Sequence, residues 1–267
     1  MRAGDFAYFD GPFLALAHRG GASYPPNLHR ENSLHAFTEA VGLGYRHLET
    51  DVHATADGVL LAFHDQVLDR VTDGRGAIAE LSHAEVQRAR IHGIDPIPTL
   101  AELLTAFPGV CFNIDAKSDT SVRLLADTIA EHDAYDRVCV SSFGVARLHR
   151  LRRRLGRPVA SAASAVGVAV NRFLPWFTQV LNTSAPVLQI PLRSEVLGRD
   201  VRIFTPALLR AAHGAGKQVH IWTVDDPESI ESLIDAGVDG IISDRIDTLK
   251  TVLTRRGLWT SWPTEGP

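Results

Sequence analysis

Short apolar runs rich in Val, Ile and Leu alternate with longer amphipathic stretches along almost the whole chain. This alternation is typical of strand–helix units on a parallel sheet, whose strands are covered on both faces. The strand candidates are residues 13–17, 47–52, 110–115, 138–142, 158–162, 186–191, 218–224 and 240–243. The helix candidates are residues 32–41, 99–107, 121–132, 145–155, 206–213, 227–236 and 248–255. The pattern predicts an α/β protein with a (β/α)8 TIM barrel.

The length of 267 residues fits one such barrel, because this architecture typically takes about 250 residues. We expect a single catalytic TIM-barrel domain over residues 1–267, with the barrel at about 13–255. A small hairpin and insertion follow the second strand at about 59–98, and a tail covers 256–267.

The hairpin is predicted from an extra apolar run at residues 59–63, which only residues 56–58 separate from the second strand. So short a connection makes an antiparallel hairpin, since a parallel neighbour needs a crossover of a dozen or more residues. If the chain turns back there, His64 returns to the level of residue 50. We therefore expect His64 to lie beside Glu49 and Asp51.

Carboxylates stand at the ends of two predicted strands. Glu49 and Asp51 are two residues apart and project to one side, as do Asp115 and Lys117. The carboxyl ends of barrel strands are where active sites are built, and clustered carboxylates there favour a bound cation. Oxygen ligands favour Mg²⁺ or Ca²⁺. The alternative is that Glu49 or Asp51 pairs with an arginine or caps a helix.

The first predicted strand ends in His18, Arg19 and Gly20. The guanidinium of Arg19 suits phosphate oxygens, and His18 and His64 can exchange protons near neutral pH. His53 follows Asp51 on the same face, and we expect at most a supporting role behind the metal. The other histidines in loops or helices receive no role: His29, His35, His83, His92, His132, His149 and His213.

The formal net charge of −4 gives no global positive field that would attract nucleic acid or anionic lipid. No apolar run reaches the roughly 18 residues of a membrane helix, so we expect no stable membrane insertion. Cys111 and Cys139 lie inside apolar runs and are predicted to be buried thiols, as in a reducing compartment. The sequence thus favours a cytoplasmic protein and gives no indication of its oligomeric state.

Several segments together resemble the glycerophosphodiester phosphodiesterase family. They span residues 18 to about 250 in the expected order. The matching segments are His18-Arg19-Gly20, Glu31-Asn32-Ser33, Glu49-Thr50-Asp51-Val52, Thr55-Ala56-Asp57-Gly58, His64-Asp65, Arg70-Val71-Thr72-Asp73-Gly74, Pro96-Ile97-Pro98-Thr99-Leu100, Asn113-Ile114-Asp115-Ala116-Lys117, Trp222-Thr223-Val224-Asp225 and Gly240-Ile241-Ile242-Ser243-Asp244. Each is weak alone, but the ordered set is specific.

The resemblance implies a TIM barrel that hydrolyses glycerophosphodiesters to glycerol 3-phosphate and an alcohol. It implies one divalent cation, Mg²⁺ or Ca²⁺, and a small-molecule glycerophosphodiester as the substrate. His18 and His64 would be the general acid/base pair. The implied metal ligands are Glu49, Asp51 and Asp115.

The resemblance also implies substrate-binding residues. Arg19 and Lys117 would contact the phosphate, Glu31 would lie near the metal or the substrate hydroxyls, and Trp222 would form part of the pocket wall. The family usually has Glu at the position of Asp115, and the loop at residues 24–30 is longer than usual. The sequence does not decide whether the nucleophile is water or a glycerol hydroxyl.

Two alternatives accompany this interpretation. One is lysophospholipase D or sphingomyelinase-D-like activity on lipid phosphodiesters, for which an apolar cluster at residues 173–177 could contact an acyl chain. The same cluster could instead be a barrel helix that packs inward, as clustered aromatic residues usually do. The other alternative is a barrel that binds a phosphorylated ligand without turning it over.

Overall fold

A computed structural model describes residues 1–174, 184–196 and 198–261. Its strands, numbered in chain order, are β1 (Leu14–His18), β2 (His47–Ala54), β3 (Leu60–Ala62), β4 (Cys111–Ala116), β5 (Val138–Ser141), β6 (Ala160–Ser161), β7 (Val187–Pro191), β8 (Arg193–Val196), β9 (Arg199–Arg202), β10 (Gln218–Trp222) and β11 (Gly240–Ser243). Its helices are α1 (Leu34–Gly42), α2 (His83–Val86), α3 (Leu100–Ala106), α4 (Ser121–Glu131), α5 (Val145–Leu155), α6 (Ala165–Phe173), α7 (Pro206–Gly214), α8 (Pro227–Ala236) and α9 (Ile246–Arg255).

Eight parallel strands form a nearly closed barrel with helices between them, so the predicted fold class is confirmed. The strand order is β6-β5-β4-β2-β1-β11-β10-β7, and a parallel bridge between Ala162 and Val187 joins the two ends. The first and last barrel strands are therefore neighbours. Residues at the carboxyl ends of β1 and β11 meet although they lie more than 200 positions apart, as the 226-residue separation of His18 and Asp244 shows.

Capping residues fix where several helices begin. Thr205 and Asp226 accept hydrogen bonds from the first turns of α7 and α8, each of which has proline at its start. Thr99 and Glu102 form a reciprocal capping box on α3. These local signals explain why the helices lie close to the positions that the sequence predicts.

The predicted hairpin is also present. β3 pairs antiparallel with β2, with Val52 opposite Ala62, and the Phe63 amide donates to the Asp51 carbonyl at 2.9 Å. The insertion that follows has its own small apolar core, formed by Leu61, Phe63, Leu68, Ile78, Val86, Ala89, Ile91 and Ile97. This core holds the segment after β3 against the barrel rim.

The amino-terminal end of the barrel is closed by the chain's first residues. Tyr8 and Phe9 pack with apolar side chains of the barrel interior, including both cysteines, which are buried and free as predicted. The His47 ring donates from Nε2 to the Tyr8 carbonyl at 2.9 Å. The floor of the barrel is therefore filled by buried side chains, and its open end is the carboxyl rim.

Helix α6 and the antiparallel strands β8 and β9 were not predicted from the sequence. The alternative in which the aromatic cluster packs inward is contradicted for Phe173 and Leu174, which are 53% and 43% exposed. The rest of that cluster, residues 175–177, lies outside the described residues.

In the part of the chain that the structure describes, no helix is long and apolar enough to cross a membrane.

Candidate active site

The strand register brings the predicted site residues to one level of the barrel. His18 at the end of β1 is level with Glu49 of β2, and Asp51 of β2 is level with Asp115 of β4. All four line a single cavity of about 460 Å³ at the carboxyl rim. The alternation of side chains in β2 points Glu49 and Asp51 into this cavity together.

His18 is held by two carboxylates. Its Nδ1 lies 2.7 Å from Asp244 Oδ1, and its Nε2 lies 3.8 Å from Glu49 Oε2. Burial by itself lowers the pKa of the His18 ring, but the charge of Glu49 and the hydrogen bond to Asp244 outweigh it, so the pKa is raised. Because Asp244 binds Nδ1, Nε2 is the nitrogen that faces Glu49.

His64, which follows β3, also has a carboxylate at Nδ1. Its Nδ1 lies 2.6 Å from Asp65 Oδ1, and Arg70 donates from Nε to the other oxygen of Asp65 at 2.6 Å. The Arg70 guanidinium lowers the pKa of Asp65 to about 2, so this carboxylate stays charged beside the ring. The ring of His53 donates from Nε2 to the His64 carbonyl at 3.0 Å and so supports the turn after β3.

Asp51 and Asp115 share one ammonium group. Lys117 Nζ lies 2.8 Å from Asp51 Oδ1 and 2.7 Å from Asp115 Oδ2. Burial lowers the pKa of Lys117, but the charges of the two aspartates outweigh it and the pKa is raised. Burial and then the charge of Asp51 raise the pKa of Glu49, because both disfavour a negative charge on this side chain.

The donor set fits a hard divalent cation. Asp51 Oδ2 is buried without a hydrogen-bond partner among the described residues, and its neighbour is Arg19 Nε at 3.5 Å. As the side chains stand, the described residues contain no group of three or more His, Cys, Asp or Glu arranged to hold a metal ion. The ammonium of Lys117 lies between Asp51 and Asp115 instead. Free carboxylate oxygens are the ligands that Mg²⁺ and Ca²⁺ prefer.

Arg19 contacts both the acidic cluster and Glu31. Its NH1 donates to Glu31 Oε1 at 3.1 Å, and Arg70 donates to both oxygens of Glu31 at 2.6 and 3.0 Å. Burial disfavours charged Glu31, but the arginines outweigh it and its pKa is lowered. The next residue, Gly20, has φ +84°, and a Cβ there would lie 2.8 Å from that of Ala36, so glycine lets α1 approach the rim.

The cavity has a charged side and an apolar side. Trp222, at the end of β10, lines the cavity as predicted and packs edge-on against Phe143 with 6.1 Å between ring centres. Beyond this pair the lining is mainly apolar and includes side chains that follow β6 and side chains of α6, β7 and β8, which are Ala162, Ala163, Ala165, Val168, Ala169, Phe173, Ile190, Pro191 and Val196. The charged side is formed by the carboxyl ends of β1, β2 and β4.

The structure brings His18, His64, Glu49, Asp51, Asp115, Arg19, Lys117 and Trp222 to one cavity. Glu31 does not line this cavity; it lines a neighbouring one with Arg70 and Asp244, and it reaches the site through Arg19. The sequence interpretation assigned no role to Asp65, Arg70 or Asp244. Asp65 directly follows His64, which was an available signal, whereas Asp244 meets His18 only because the barrel closes.

A TIM barrel with two carboxylate-supported histidines, an arginine and an acidic cluster at its carboxyl rim has the parts of a phosphodiester hydrolase. The sequence model of the Glycerophosphoryl diester phosphodiesterase family matches residues 18–248. The chain belongs to this family and is an enzyme of this kind.

Individual relatives agree with this assignment. The chain is 39% identical over 259 residues to "Probable glycerophosphodiester phosphodiesterase 2" of Mycobacterium tuberculosis, covering 93% of this chain and 94% of that protein. It is 30% identical over 261 residues to the glycerophosphodiester phosphodiesterase of Caldanaerobacter subterraneus subsp. tengcongensis, and the match covers 91% of this chain and 99% of that protein. A lysophospholipase D of Homo sapiens is 26% identical over 272 residues, and the match covers 89% of this chain and 85% of that protein.

Solved structures share the fold. A phosphodiesterase from Oleispira antarctica, in complex with the product sn-glycerol-3-phosphate, superposes with a TM-score of 0.77 at 23% identity, covering 93% of this chain and 99% of that one. A glycerophosphodiester phosphodiesterase from Agrobacterium tumefaciens gives a TM-score of 0.73 at 21% identity, with 89% and 99% covered.

Proposed function

We propose that this enzyme hydrolyses glycerophosphodiesters to glycerol 3-phosphate and an alcohol, with His18 and His64 as the general acid/base pair. The observation that carries the proposal is that each ring has a carboxylate at Nδ1, at 2.7 and 2.6 Å, and lines the same cavity. One ring removes a proton from the nucleophile and the other donates a proton to the departing alkoxide. The nucleophile is either water or a glycerol hydroxyl.

The phosphate is bound by Arg19 and Lys117 in this proposal. Both cations already face Asp51, at 3.5 and 2.8 Å, so they lie where the charged side of the cavity is most negative. Trp222 bounds the substrate on the apolar side of the cavity, and Glu31 orients Arg19 through the 3.1 Å hydrogen bond.

We further propose that activity depends on one divalent cation held by Glu49, Asp51 and Asp115. The unpartnered Oδ2 of Asp51 supports this assignment, and so does the raised pKa of Glu49, which burial and the neighbouring Asp51 cause. When bound, Mg²⁺ or Ca²⁺ supplies positive charge that polarises the phosphoryl group. Both oxygens of Asp115 have protein partners, Lys117 at 2.7 Å and Ser141 at 3.3 Å, so Asp115 is the weakest of the three ligands.

The test is release of choline from glycerophosphocholine by the purified chain with Mg²⁺, Ca²⁺ or neither. We expect chelation to abolish turnover and the added ion to restore it. His18→Ala and His64→Ala should each lower kcat by about 100-fold to 10,000-fold, the range for loss of a general acid or base. His149→Ala is the matched control, because His149 is exposed on α5 outside the cavity. Unimpaired turnover in both active-site variants would refute the acid/base pair.

The domain organisation and cellular location are proposals as well. We propose that residues 13–255 act as one catalytic barrel with the 59–98 insertion as part of its rim, because the insertion supplies His64 and Arg70. A cytoplasmic location is proposed from the buried free thiols of Cys111 and Cys139, which fit a reducing compartment. Cell fractionation with an antibody to the chain tests the location.

A second candidate is lysophospholipase D activity, which the name of the Homo sapiens relative suggests. The apolar side of the cavity favours it over a strictly water-soluble substrate. A sphingomyelinase-D-like reaction would use the same apolar wall. A barrel that only binds a phosphorylated ligand would give metal binding without release of alcohol from any diester, which the same assay detects.

A further inference from the structure

One arginine of the insertion, Arg70, contacts the carboxylates that hold two different active-site residues. Its Nε donates to Asp65 Oδ2 at 2.6 Å, and its NH2 donates to Asp65 Oδ1 at 3.1 Å. Its NH1 donates to Glu31 Oε2 at 3.0 Å, and its NH2 also donates to Glu31 Oε1 at 2.6 Å. Each carboxylate is therefore held by two hydrogen bonds from one planar group, which fixes its orientation as well as its charge.

The two carboxylates transmit this orientation to the active site. Asp65 Oδ1 lies 2.6 Å from Nδ1 of His64. Glu31 Oε1 accepts a hydrogen bond from NH1 of Arg19 at 3.1 Å. Because Arg70 contacts both carboxylates, one continuous path of hydrogen bonds links the proposed proton-transfer ring to the proposed phosphate-binding guanidinium.

Arg70 also keeps both carboxylates charged. Its hydrogen bond lowers the pKa of Asp65 to about 2. Burial raises the pKa of Glu31, but the hydrogen bond from Arg70 is the largest of the contributions that together lower it. In return, the hydrogen bonds to Glu31 and then to Asp65 raise the pKa of Arg70. All three groups of this bridge are therefore charged near neutral pH.

The fold of the insertion holds Arg70 in place. The Thr72 hydroxyl donates to the Leu68 carbonyl at 2.8 Å, and Leu68 is buried in the small apolar core of the insertion. The Arg70 side chain itself is 48% exposed, and ion pairs with such exposure contribute little to stability. The four hydrogen bonds of Arg70 therefore matter chiefly for the geometry that they impose.

A second arginine joins the same two segments of the chain without reaching the active site. Arg30 donates from Nε and NH2 to the two oxygens of Asp95 at 2.5 and 2.6 Å. Arg30 belongs to the loop between β1 and α1, as Glu31 does, and Asp95 belongs to the insertion, as Arg70 does. Neither member of this pair is among the residues that line the two cavities. Contact with the active-site residues is thus what distinguishes Arg70.

We propose that Arg70 is a positioning residue for two parts of the reaction at once. Through Asp65 it orients the His64 ring for proton transfer, and through Glu31 it orients Arg19 for the phosphate. The proposal rests on the phosphodiesterase activity and on the roles of His64 and Arg19 proposed above. Because Asp65 holds Nδ1, the ring exchanges its proton with the substrate at Nε2.

The first test is steady-state kinetics of Arg70→Ala with glycerophosphocholine. kcat should fall and KM should rise, each by about 10-fold to 100-fold, as when a group that orients an active-site residue is lost. Arg30→Ala is the matched control and should keep both constants of the parent enzyme. An equal loss in the two variants would reduce Arg70 to a docking contact and overturn the proposal. No choline release by the parent chain with any ion would instead refute the phosphodiesterase activity.

Double variants separate the two routes. Arg70→Ala added to Asp65→Asn should lower kcat no further, because the route to His64 is already interrupted. Arg70→Ala added to Glu31→Gln should raise KM no further, because the route to Arg19 is already interrupted. Losses that multiply independently in both pairs would mean that Arg70 acts outside these routes, and the proposal would be overturned.

Free guanidinium ion provides a rescue test. Arg70 lines the neighbouring cavity of about 690 Å³, so the ion can reach the space that Arg70→Ala leaves. Guanidinium should raise kcat/KM of this variant by about tenfold, whereas methylammonium, which has the charge without the planar fork, should not. Arg30→Ala should respond to neither ion. Equal effects of the two ions on Arg70→Ala, or no effect of either, would contradict the orienting role.

Arg70→Lys is the second variant, in case Arg70→Ala does not fold. It keeps the positive charge, but an ammonium group cannot hold two carboxylates in the fork geometry of a guanidinium. Its kcat/KM should therefore fall by about tenfold while the free energy of unfolding stays near that of the parent. Arg70→Lys with the kcat and KM of the parent enzyme would overturn the proposal.

Discussion

Histidines lie at both ends of this barrel, and burial affects them differently. At the carboxyl rim His18 meets Asp244 and Glu49, and these carboxylates raise its pKa although burial opposes charge. Toward the other end, burial lowers the pKa of His47 to about 4 and that of His220 to about 3. No carboxylate accepts a hydrogen bond from either of these rings in the described structure: His47 meets the Tyr8 carbonyl and His220 the Gln218 side chain.

The difference shows that position along a strand decides what a buried polar residue can do. Strand β2 alone carries His47 near the floor and Glu49 and Asp51 near the rim, all facing inward and all nearly inaccessible. Near the floor the rings of His47 and His220 are neutral and contribute hydrogen bonds and packing contacts. At the rim the charged forms of His18 and Lys117 are favoured because carboxylates face them, and a retained charge is what acid/base chemistry and cation binding need.

The largest effect on this comparison is expected when Lys117, whose ammonium group the rim aspartates share, loses its charge. Lys117→Met leaves Asp51 and Asp115 buried without their ammonium, so the free energy of unfolding should fall by about 3 to 5 kcal/mol in chelator. Mg²⁺ or Ca²⁺ should restore part of it, because an ion replaces the lost charge. Urea unfolding with and without the ion measures both.

Lys250→Met is the control for this change, since Lys250 lies over the Trp259 ring 5.6 Å from its centre and away from the rim. An equal loss of stability in the two variants would mean that the rim carboxylates do not depend on Lys117.

A smaller effect is expected when the partner of His18 loses its charge. Asp244→Asn keeps the size of the side chain but removes the carboxylate at Nδ1, so kcat should fall by about 100-fold while KM changes little. The lower pKa of His18 should also displace the pH profile of kcat/KM to lower pH. Steady-state kinetics over pH 5 to 9 measures the two changes.

Asp239→Asn provides the comparison, because Asp239 accepts from the exposed His213 at 2.8 Å outside the cavity. If Asp244→Asn kept the kcat of the parent enzyme and its pH profile of kcat/KM did not move, the carboxylate of Asp244 would only pack against the His18 ring.

The smallest effect concerns acid stability at the floor. The folded pKa of His220 is about 3, below the ordinary value of 6.5, so the unfolded chain binds a proton that the folded chain does not. Stability is therefore complete above pH 6.5 and is lost as pH falls from 6.5 toward 3. Between pH 7 and pH 5 this one ring should account for about 2 kcal/mol.

His220→Asn should remove that share of the pH dependence, measured as the slope of unfolding free energy against pH. His149→Asn changes an exposed ring and should leave the slope as it is in the parent chain. If His220→Asn also left it unchanged, burial would not lower the pKa of this ring as the structure indicates.

The barrel and much of the site were predictable because their signals are local. Eight apolar runs with helical stretches between them specify the barrel, and the three-residue turn before β3 brings His64 to the level of Glu49 and Asp51. By contrast, α6 was missed. Its sequence Ala165–Phe173 is rich in valine and contains Gly167, which have low helix propensity, so tertiary packing decides the helix there.

The sequence by itself determined which strand ends carry carboxylates and histidines, since side-chain alternation and turn length follow from a few neighbouring residues. Only the tertiary structure decided their partners. Asp244 reaches His18 across 226 positions because the last strand lies beside the first. Arg70 reaches Glu31 across 39 positions because the insertion folds back on its own core. Such contacts depend on how the barrel closes, and no local pattern records that closure.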